Sequence, residues 1–273
     1  MNHFVRNVLL ASLLSSAPAF AQTDVTTEQA LTDAIAGAWR VPANVERDKY
    51  RHPKETLEFF GLKRNMTVVE IWPGSGWYTE ILAPVLADKG KYYAAYYPAG
   101  TDNAYFNKNL AKYKEKLASN PVYAKVELTE FNPPEKVSIA PAGSADLVLT
   151  FRNVHNWMKA GSADAAFKAM YDALKPGGVL GVVEHRLPAD RPQSEQAETG
   201  YVQVAYVVGL ATKAGFQLAG NSDINANPKD AASHPKGVWT LPPTLALGDE
   251  DKEKYLAIGE SDRMTLKFVK PKK

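Results

Sequence analysis

Three groups of residues in this chain have the types and spacing to do chemistry. In "EIWPGSGW" a carboxylate, Glu70, stands four residues ahead of Gly74, with Ser75 and Gly76 next. In "FRNVHNW" a guanidinium, an amide and an imidazole follow closely as Arg152, Asn153 and His155. In "VVEHR" Glu184, His185 and Arg186 close an apolar run. His155 is of a residue type that can take a proton from a hydroxyl or amine, or it can simply pack at a helix start. Arg152 can hold an anionic group or sit in a salt bridge. Alternation puts Glu184 and Arg186 on one side of a strand and His185 on the other, where they bind substrate or form a structural ion pair. His155, Glu184 and His185 are donor types for a metal, but no compact spacing such as His-Glu-x-x-His joins them, so no metal is expected. With no cysteine in the chain, thiolate catalysis, disulfides and cysteine metal sites are excluded.

The glycine turn narrows the ligand. Without a β-carbon, Gly74 and Gly76 let the backbone approach a ligand closely and take positive φ. Glu70 would repel a pyrophosphate but accept hydrogen bonds from an ammonium group or from loop N–H groups. That favours an aminoacyl ligand over a dinucleotide. A phosphate-binding P-loop is excluded because no Gly-Lys-Ser/Thr follows, and Thr79 stands where a dinucleotide fingerprint needs its third glycine.

The elements that must position these groups alternate. "MTVVEIW", "GKYYAAYY", "VYAKVEL", "SADLVLTFRN", "GVLGVVEHR", "FQLAGN" and "DRMTLKFVKP" read as seven strands. Helices intervene at "WYTEILAPVLA", "AYFNKNLAKYKEKLAS", "SADAAFKAMYDAL" (ended by "LKPGG") and "TGYVQVAYVVGLATKAG". Two more precede the first strand: "TTEQALTDAIAG", capped by Thr26 or Thr27, and one opened by Pro53 and stopped by Gly61. Apolar strands alternating with helices mean an α/β fold, a parallel sheet covered on both faces. In such a sheet a ligand sits beyond the carboxyl ends of the strands, where all three groups fall. Residues 221–260 are long for a connection, and their Pro residues with Asp223, Asp230, His234, Lys236 and Trp239 suggest a lid over that end.

"MNHFVRNVLLASLLSSAPAFAQ" has a charged lead, a short apolar run and a small-x-small end, so residues 1–21 are expected to be a secretory signal cut after Ala21. Residues 22–273 then form a single domain, periplasmic or secreted. A net charge of +2 without a basic cluster argues against nucleic acid as partner, and no segment is apolar for long enough to span a membrane. The expected partner is a small molecule. The sequence sets no oligomeric state.

Together, "EIWPGSGWYTEILAP", "FRNVHNW" and "LKPGG" resemble the class I S-adenosylmethionine-dependent methyltransferases, and more closely a family of exported bacterial proteins predicted to be methyltransferases. The resemblance covers nearly all of residues 22–273. It implies a Rossmann-like seven-stranded sheet, mostly parallel with the last strand antiparallel. It implies S-adenosyl-L-methionine as cofactor and methyl transfer to an unidentified small molecule. The loop of Gly74, Ser75 and Gly76 would flank the methionine part, with Glu70 anchoring it. Glu130 and Phe131 would meet the adenine, and Arg152, Asn153 and His155 would lie beside the transferred methyl group. Two positions depart from the family pattern. Trp72 replaces its first glycine, and Tyr97 stands where an acidic residue would hold the ribose. The compartment raises a further tension, because the cofactor is made in the cytoplasm. Two other readings are a non-catalytic ligand-binding protein, with an aromatic rim of Trp72, Trp77, Tyr78, Tyr96, Tyr97 and Trp157, and a hydrolase or lyase using His155 or His185 with Glu184. The latter lacks a nucleophile elbow.

Overall fold

The computed structural model describes residues 25–272, so the expected signal segment lies outside the described residues. Seven strands form one sheet in the order β3-β2-β1-β4-β5-β7-β6. They are β1 Thr67–Ile71, β2 Lys91–Tyr96, β3 Val126–Glu130, β4 Ala145–Phe151, β5 Leu174–His185, β6 Gln217–Ser222 and β7 Arg263–Val269. β7 runs antiparallel to both of its neighbours, and the remaining pairs are parallel. The seven-stranded, mostly parallel architecture expected from the sequence is what the chain adopts.

Alternation within the strands builds two cores. Val69, Ile71, Val148, Leu180 and Val182 face one way, against Val154, Trp157, Phe167, Met170 and Val207. Those residues come from helices α7 Val154–Lys159, α8 Ala163–Ala173 and α9 Val204–Ala214. Val68, Tyr92, Ala94, Tyr96, Leu147 and Leu149 face the other way, against Leu31, Leu57, Ile81, Leu110 and Tyr113. These belong to α1 Thr27–Ile35, α4 Pro53–Phe60, α5 Thr79–Leu86 and α6 Ala104–Ser119. A sheet buried on both faces needs such continuous apolar strands. The helix ends follow local chemistry. The Thr26 hydroxyl accepts from Gln29 N–H at 3.1 Å, Asn103 accepts from Tyr105 and Phe106 N–H, and Gly61 turns left-handed at φ +82° to end α4.

Two short helices, α2 Pro42–Val45 and α3 Asp48–Arg51, carry the N-terminal extension across to the carboxyl ends of the strands. The extension is locked to α5 by the buried Glu80 carboxylate, which meets Lys116, takes a 2.9 Å bond from Asn44 and lies 3.6 Å from Arg40. The last helix, α10 Lys252–Ile258, lies between β6 and β7. Two expectations shift. "LKPGG" ends α8 at Ala173 as expected, but it is already the start of β5, because β4 supplies a partner for Leu174. The third strand begins later than "VYAKVEL" suggests, since Pro121–Tyr123 forms a 3-10 turn capped by Asn120. Among the described residues no helix is long and apolar enough to cross a membrane.

Candidate functional site

Two residues just past the strand ends shape the site. Trp72 continues β1 and Arg152 continues β4, each donating its N–H to the neighbouring strand, to Ala95 and Val183 carbonyls respectively. Both then turn left-handed, at φ +45° and +62°. For a residue with a β-carbon this conformation costs roughly 1–2 kcal/mol, and such outliers concentrate at functional sites. Between them opens a cavity of about 370 Å³, lined by Glu70, Gly74, Ser75, Asn153, His155 and His185 together with side chains from the N-terminal extension and from the 221–260 segment. Tyr78 and Phe151, stacked at 3.6 Å, line its wall.

Trp72 divides the trough. Its indole N–H donates to the Phe131 carbonyl at 2.9 Å, and its ring lies 4.7 Å from Tyr97, 5.6 Å from Trp157 and 5.8 Å from Phe131. Beyond the indole is a second pocket of about 300 Å³, lined by Tyr97, Phe106, Asn132, Pro133 and Lys159, with Trp72, Tyr105 and Asn156 common to both. One side of Trp72 is therefore charged and polar, and the other is aromatic.

The candidate residues divide between these places. Gly74 stands at φ +61°, and an added β-carbon there would meet nothing within 4 Å. Gly76 is different: a β-carbon would lie 3.0 Å from Tyr113 and Lys116, so this glycine serves helix packing. Asn153 is anchored by its amide to the Ile71 carbonyl at 2.9 Å and thereby ties β4 to β1 at the cavity floor. Glu70 is 2% exposed and accepts a short hydrogen bond from Tyr92. Burial pushes its carboxyl up to about 7, against the pull of Tyr92 and Arg152. Tyr97 stacks on Phe106 at 3.8 Å and lines the aromatic pocket. Glu130 falls outside both pockets: it is exposed and pairs with Lys136 at 3.3 Å. Phe131 is fully buried, and only its carbonyl takes part. Of the expected aromatic rim, Trp72, Trp77 and Tyr78 line the charged cavity and Tyr97 the aromatic pocket, whereas Tyr96 and Trp157 are buried away from both.

His155 sits in the first turn of α7 with its Nδ1 3.1 Å from Glu184 Oε1. Glu184 is fully buried and also accepts the N–H groups of His155, at 3.2 Å, and His185, at 2.8 Å. This holds the imidazole with its other nitrogen, Nε2, as the free basic edge in the cavity wall. The sequence reading left Glu184 open to a structural ion pair with Arg186; instead Glu184 orients His155, and Arg186 pairs with Asp262 at 2.7 Å and Asp223 at 2.8 Å. His185 bonds the Ser261 hydroxyl at 2.6 Å, and burial, then His155 and Arg152, push its pKa well below the usual range. His155, Glu184 and His185 bring donor atoms within 4.8 Å of one another although no sequence spacing announces it. The surrounding guanidinium groups make this a poor place for a cation.

Sequence reasoning missed the cationic wall. Arg47, Arg51 and Arg263 converge on Glu260 at 2.6, 3.1 and 3.0 Å. Arg47 and Arg51 lie 213 and 209 residues from Glu260, so no local pattern could pair them with it. The 221–260 segment forms the cavity roof through Val238, Trp239, Pro242, Pro243, Thr244 and Glu260. It is pinned rather than loose. Asn225 bonds Thr56 and Thr265, Asn227 bonds the Ile258 and Glu260 carbonyls, and Asp230 accepts from Tyr201, His234 and two backbone N–H groups.

No protein-family model and no curated protein matches the chain. Solved structures do. A S-adenosylmethionine-dependent methyltransferase from Aquifex aeolicus is 15% identical, covering 82% of this chain and 93% of that one, with a TM-score of 0.56. The [4+2]-cyclase SpnF is 16% identical, with 91% and 98% covered and a TM-score of 0.58. Haemonchus contortus phosphoethanolamine N-methyltransferase 2, solved with S-adenosyl-L-methionine, is 15% identical, with 92% and 59% covered and a TM-score of 0.54. At these identities the likeness shows the fold: this chain has the class I methyltransferase fold. The presence of a cyclase among the neighbours illustrates that the reaction is set by the site.

Proposed function

We propose that the chain is an S-adenosylmethionine-dependent methyltransferase acting on a small molecule. The observation that carries this reading is the divided trough at the carboxyl ends of β1 and β4. Its charged half, with the open Gly74 turn and Glu70, suits an aminoacyl group. Its aromatic half, with Tyr97 and Phe106, suits a nucleobase. The fit has two exceptions. No carboxylate stands by Tyr97 to hold a ribose, so stacking must do more there. Trp72 also has to yield, because its indole stands between the halves.

When bound, the cofactor supplies an activated methyl group on a sulfonium. The chain's own contribution is then positioning and water exclusion, which can supply much of such a rate enhancement. Glu70 and the Gly74 turn hold the aminoacyl end. Trp239 and the proline pair Pro242 and Pro243 roof the cavity. His155, oriented through Nδ1 by Glu184, takes a proton at Nε2 from the acceptor hydroxyl or amine. Asn153 keeps the ends of β1 and β4 at fixed separation.

Isothermal titration of the purified protein with S-adenosylmethionine and S-adenosylhomocysteine tests the reading. Heat and a rise in Tm with both are expected. Silence with both sinks it. The leader-like residues 1–21 support export to the periplasm or beyond, and N-terminal sequencing of the protein recovered outside the cytoplasm should begin at Gln22.

A further inference from the structure

The charges around the cavity do not balance. Arg47, Arg51 and Arg263 share one carboxylate, Glu260. Arg152 makes no side-chain hydrogen bond or ion pair with any described residue, yet it lines the same cavity as Arg47 and Arg51. Four guanidinium groups against one carboxylate leave a surplus of three positive charges. Little else nearby offsets it: Glu184, buried behind His155, takes back at most one of these charges, Glu70 is drawn toward its neutral form by burial, and His185 is held neutral, so a positive surplus remains. Arg152 is also held in place, since its left-handed backbone is fixed by the bond to Val183. Arg152 is half-buried in the cavity wall; an unpaired cation held partly out of water is costly, and a protein tolerates one where a ligand completes the pair.

The cofactor does not complete it. An aminoacyl sulfonium carries one carboxylate against two positive centres, and the charge its ammonium draws out on Glu70 only cancels that excess, so its arrival leaves the surplus in place. The missing charge must come from the other ligand. We propose that the methyl acceptor carries a phosphate-type dianion, held by Arg152 together with Arg47 and Arg51. This deepens the methyltransferase reading and rests on it for calling the anion an acceptor. The three guanidiniums arrive from separate elements, Arg47 from the α2–α3 junction, Arg51 from the end of α3 and Arg152 from the end of β4. Donors arriving from several directions suit a tetrahedral group with oxygens on all sides better than a flat carboxylate. His155 lies in the same wall, within reach of a hydroxyl or amine attached a few atoms from such a group.

The test uses the full protein with defined probes at constant ionic strength. Inorganic phosphate, sulfate and glycerol 3-phosphate are expected to raise Tm and give saturable heats, while nitrate does neither. Arg152→Asn keeps a residue that tolerates left-handed backbone. It should fold with an unchanged or higher Tm in the absence of anion and bind sulfate roughly tenfold or more weakly, as loss of a charge-assisted fork predicts. Arg152→Lys should fall between. Equal effects of nitrate and sulfate, or unchanged sulfate affinity in Arg152→Asn, overturn the proposal. Tighter binding of succinate than of glycerol 3-phosphate overturns the phosphate assignment. S-adenosylhomocysteine is titrated into the same samples. Its binding without any anion effect defeats this proposal and leaves the methyltransferase reading intact. An anion effect without its binding supports the anion site and removes the methyltransferase reading.

Discussion

Glu70 makes the sharpest prediction, because its carboxyl is raised from an ordinary 4.5 to about 7 by burial. A folded-state pKa above the unfolded one means that the folded chain binds more protons between those two values. Stability therefore falls as pH rises from 4.5 to about 7 and levels off above that. At about 1.4 kcal/mol per tenfold change, the ionised carboxylate costs the fold roughly 3 kcal/mol at pH 8. Glu70→Gln keeps an acceptor for the Tyr92 hydroxyl and removes the ionisation. Urea unfolding of both proteins at pH 5 and pH 8 reads the effect, and any constant offset from the amide cancels between the two pH values. The variant's advantage should grow by roughly 2.5 kcal/mol from pH 5 to pH 8, since part of the effect is already present at pH 5. A difference that changes by less than about 0.5 kcal/mol would mean that Glu70 does not titrate in this window, and the reasoning would be wrong.

The same residue gives a functional readout. If an ammonium group docks against Glu70, the carboxyl must ionise, so binding near pH 6 releases nearly a whole proton. Titration in two buffers of different ionisation enthalpy measures that release directly. Glu70→Gln should release none. Equal release from both proteins would place the ammonium elsewhere.

The other predictions concern the neighbours of Glu70. His155→Gln should lower kcat by about 10²–10⁴ while S-adenosylhomocysteine affinity stays unchanged in the same titration; Glu184→Gln, which disturbs only the orientation of the imidazole, should lower kcat less and shift the pH-rate profile. Trp72→Gly should merge the two pockets and tighten S-adenosylhomocysteine binding, while lowering stability by about 2 kcal/mol, the aromatic loss partly offset by relief of the left-handed backbone; weaker binding would mean that the indole is part of the ligand site rather than a divider. Glu260, held down to about 2 by Arg51, Arg263 and Arg47 despite burial, gives stability that is present above pH 4.5 and lost as pH falls toward 2. Glu260→Gln should therefore lose that acid slope and about 3–5 kcal/mol at pH 7, both read by denaturant unfolding.

What could be read along the chain was whatever is local. Helix α6 matches "AYFNKNLAKYKEKLAS" because Asn103, its apolar stripe and the following Asn120 all act within a few residues. The strands β1 and β4 were legible because both faces of each are buried, so their sequences are nearly all apolar. β3, at the sheet edge with mostly exposed or half-buried residues, was misplaced for the same reason in reverse. At the site, the Gly74 turn, Arg152 and His155 follow strands and were visible. The Glu184–His155 pair joins two strand ends 29 residues apart, and the Glu260 cluster joins the N-terminal extension to the roof; such contacts exist only once the sheet is assembled. Trp72 was visible as a departure, but that its indole reaches the Phe131 carbonyl depends on a backbone turn that a tryptophan seldom adopts.

Three features of this chain work against its stability, and they meet in one cavity. Two bulky residues are held left-handed at the ends of β1 and β4, a carboxylate is buried where ionisation is unfavourable, and a guanidinium is left without a partner. Elsewhere caps sit at helix starts, apolar positions alternate into two cores and the buried Asp230 is fully bonded, while the other left-handed residues with a β-carbon, His52, Ala197, Ala232, Leu245 and Asp251, are scattered through turns and helix ends. Where several departures from local rules gather in one cavity, that place is retained for what it binds. The three departures also share a direction. Each would be relieved by a ligand rather than by a change in the protein: an ammonium relieves Glu70, a dianion relieves Arg152, and a base stacked in the aromatic pocket replaces the contacts that Trp72 gives up. A site relieved by two oppositely charged ligands should bind them together more tightly than either alone, so sulfate should strengthen S-adenosylmethionine binding and, by linkage, be strengthened by it to the same factor.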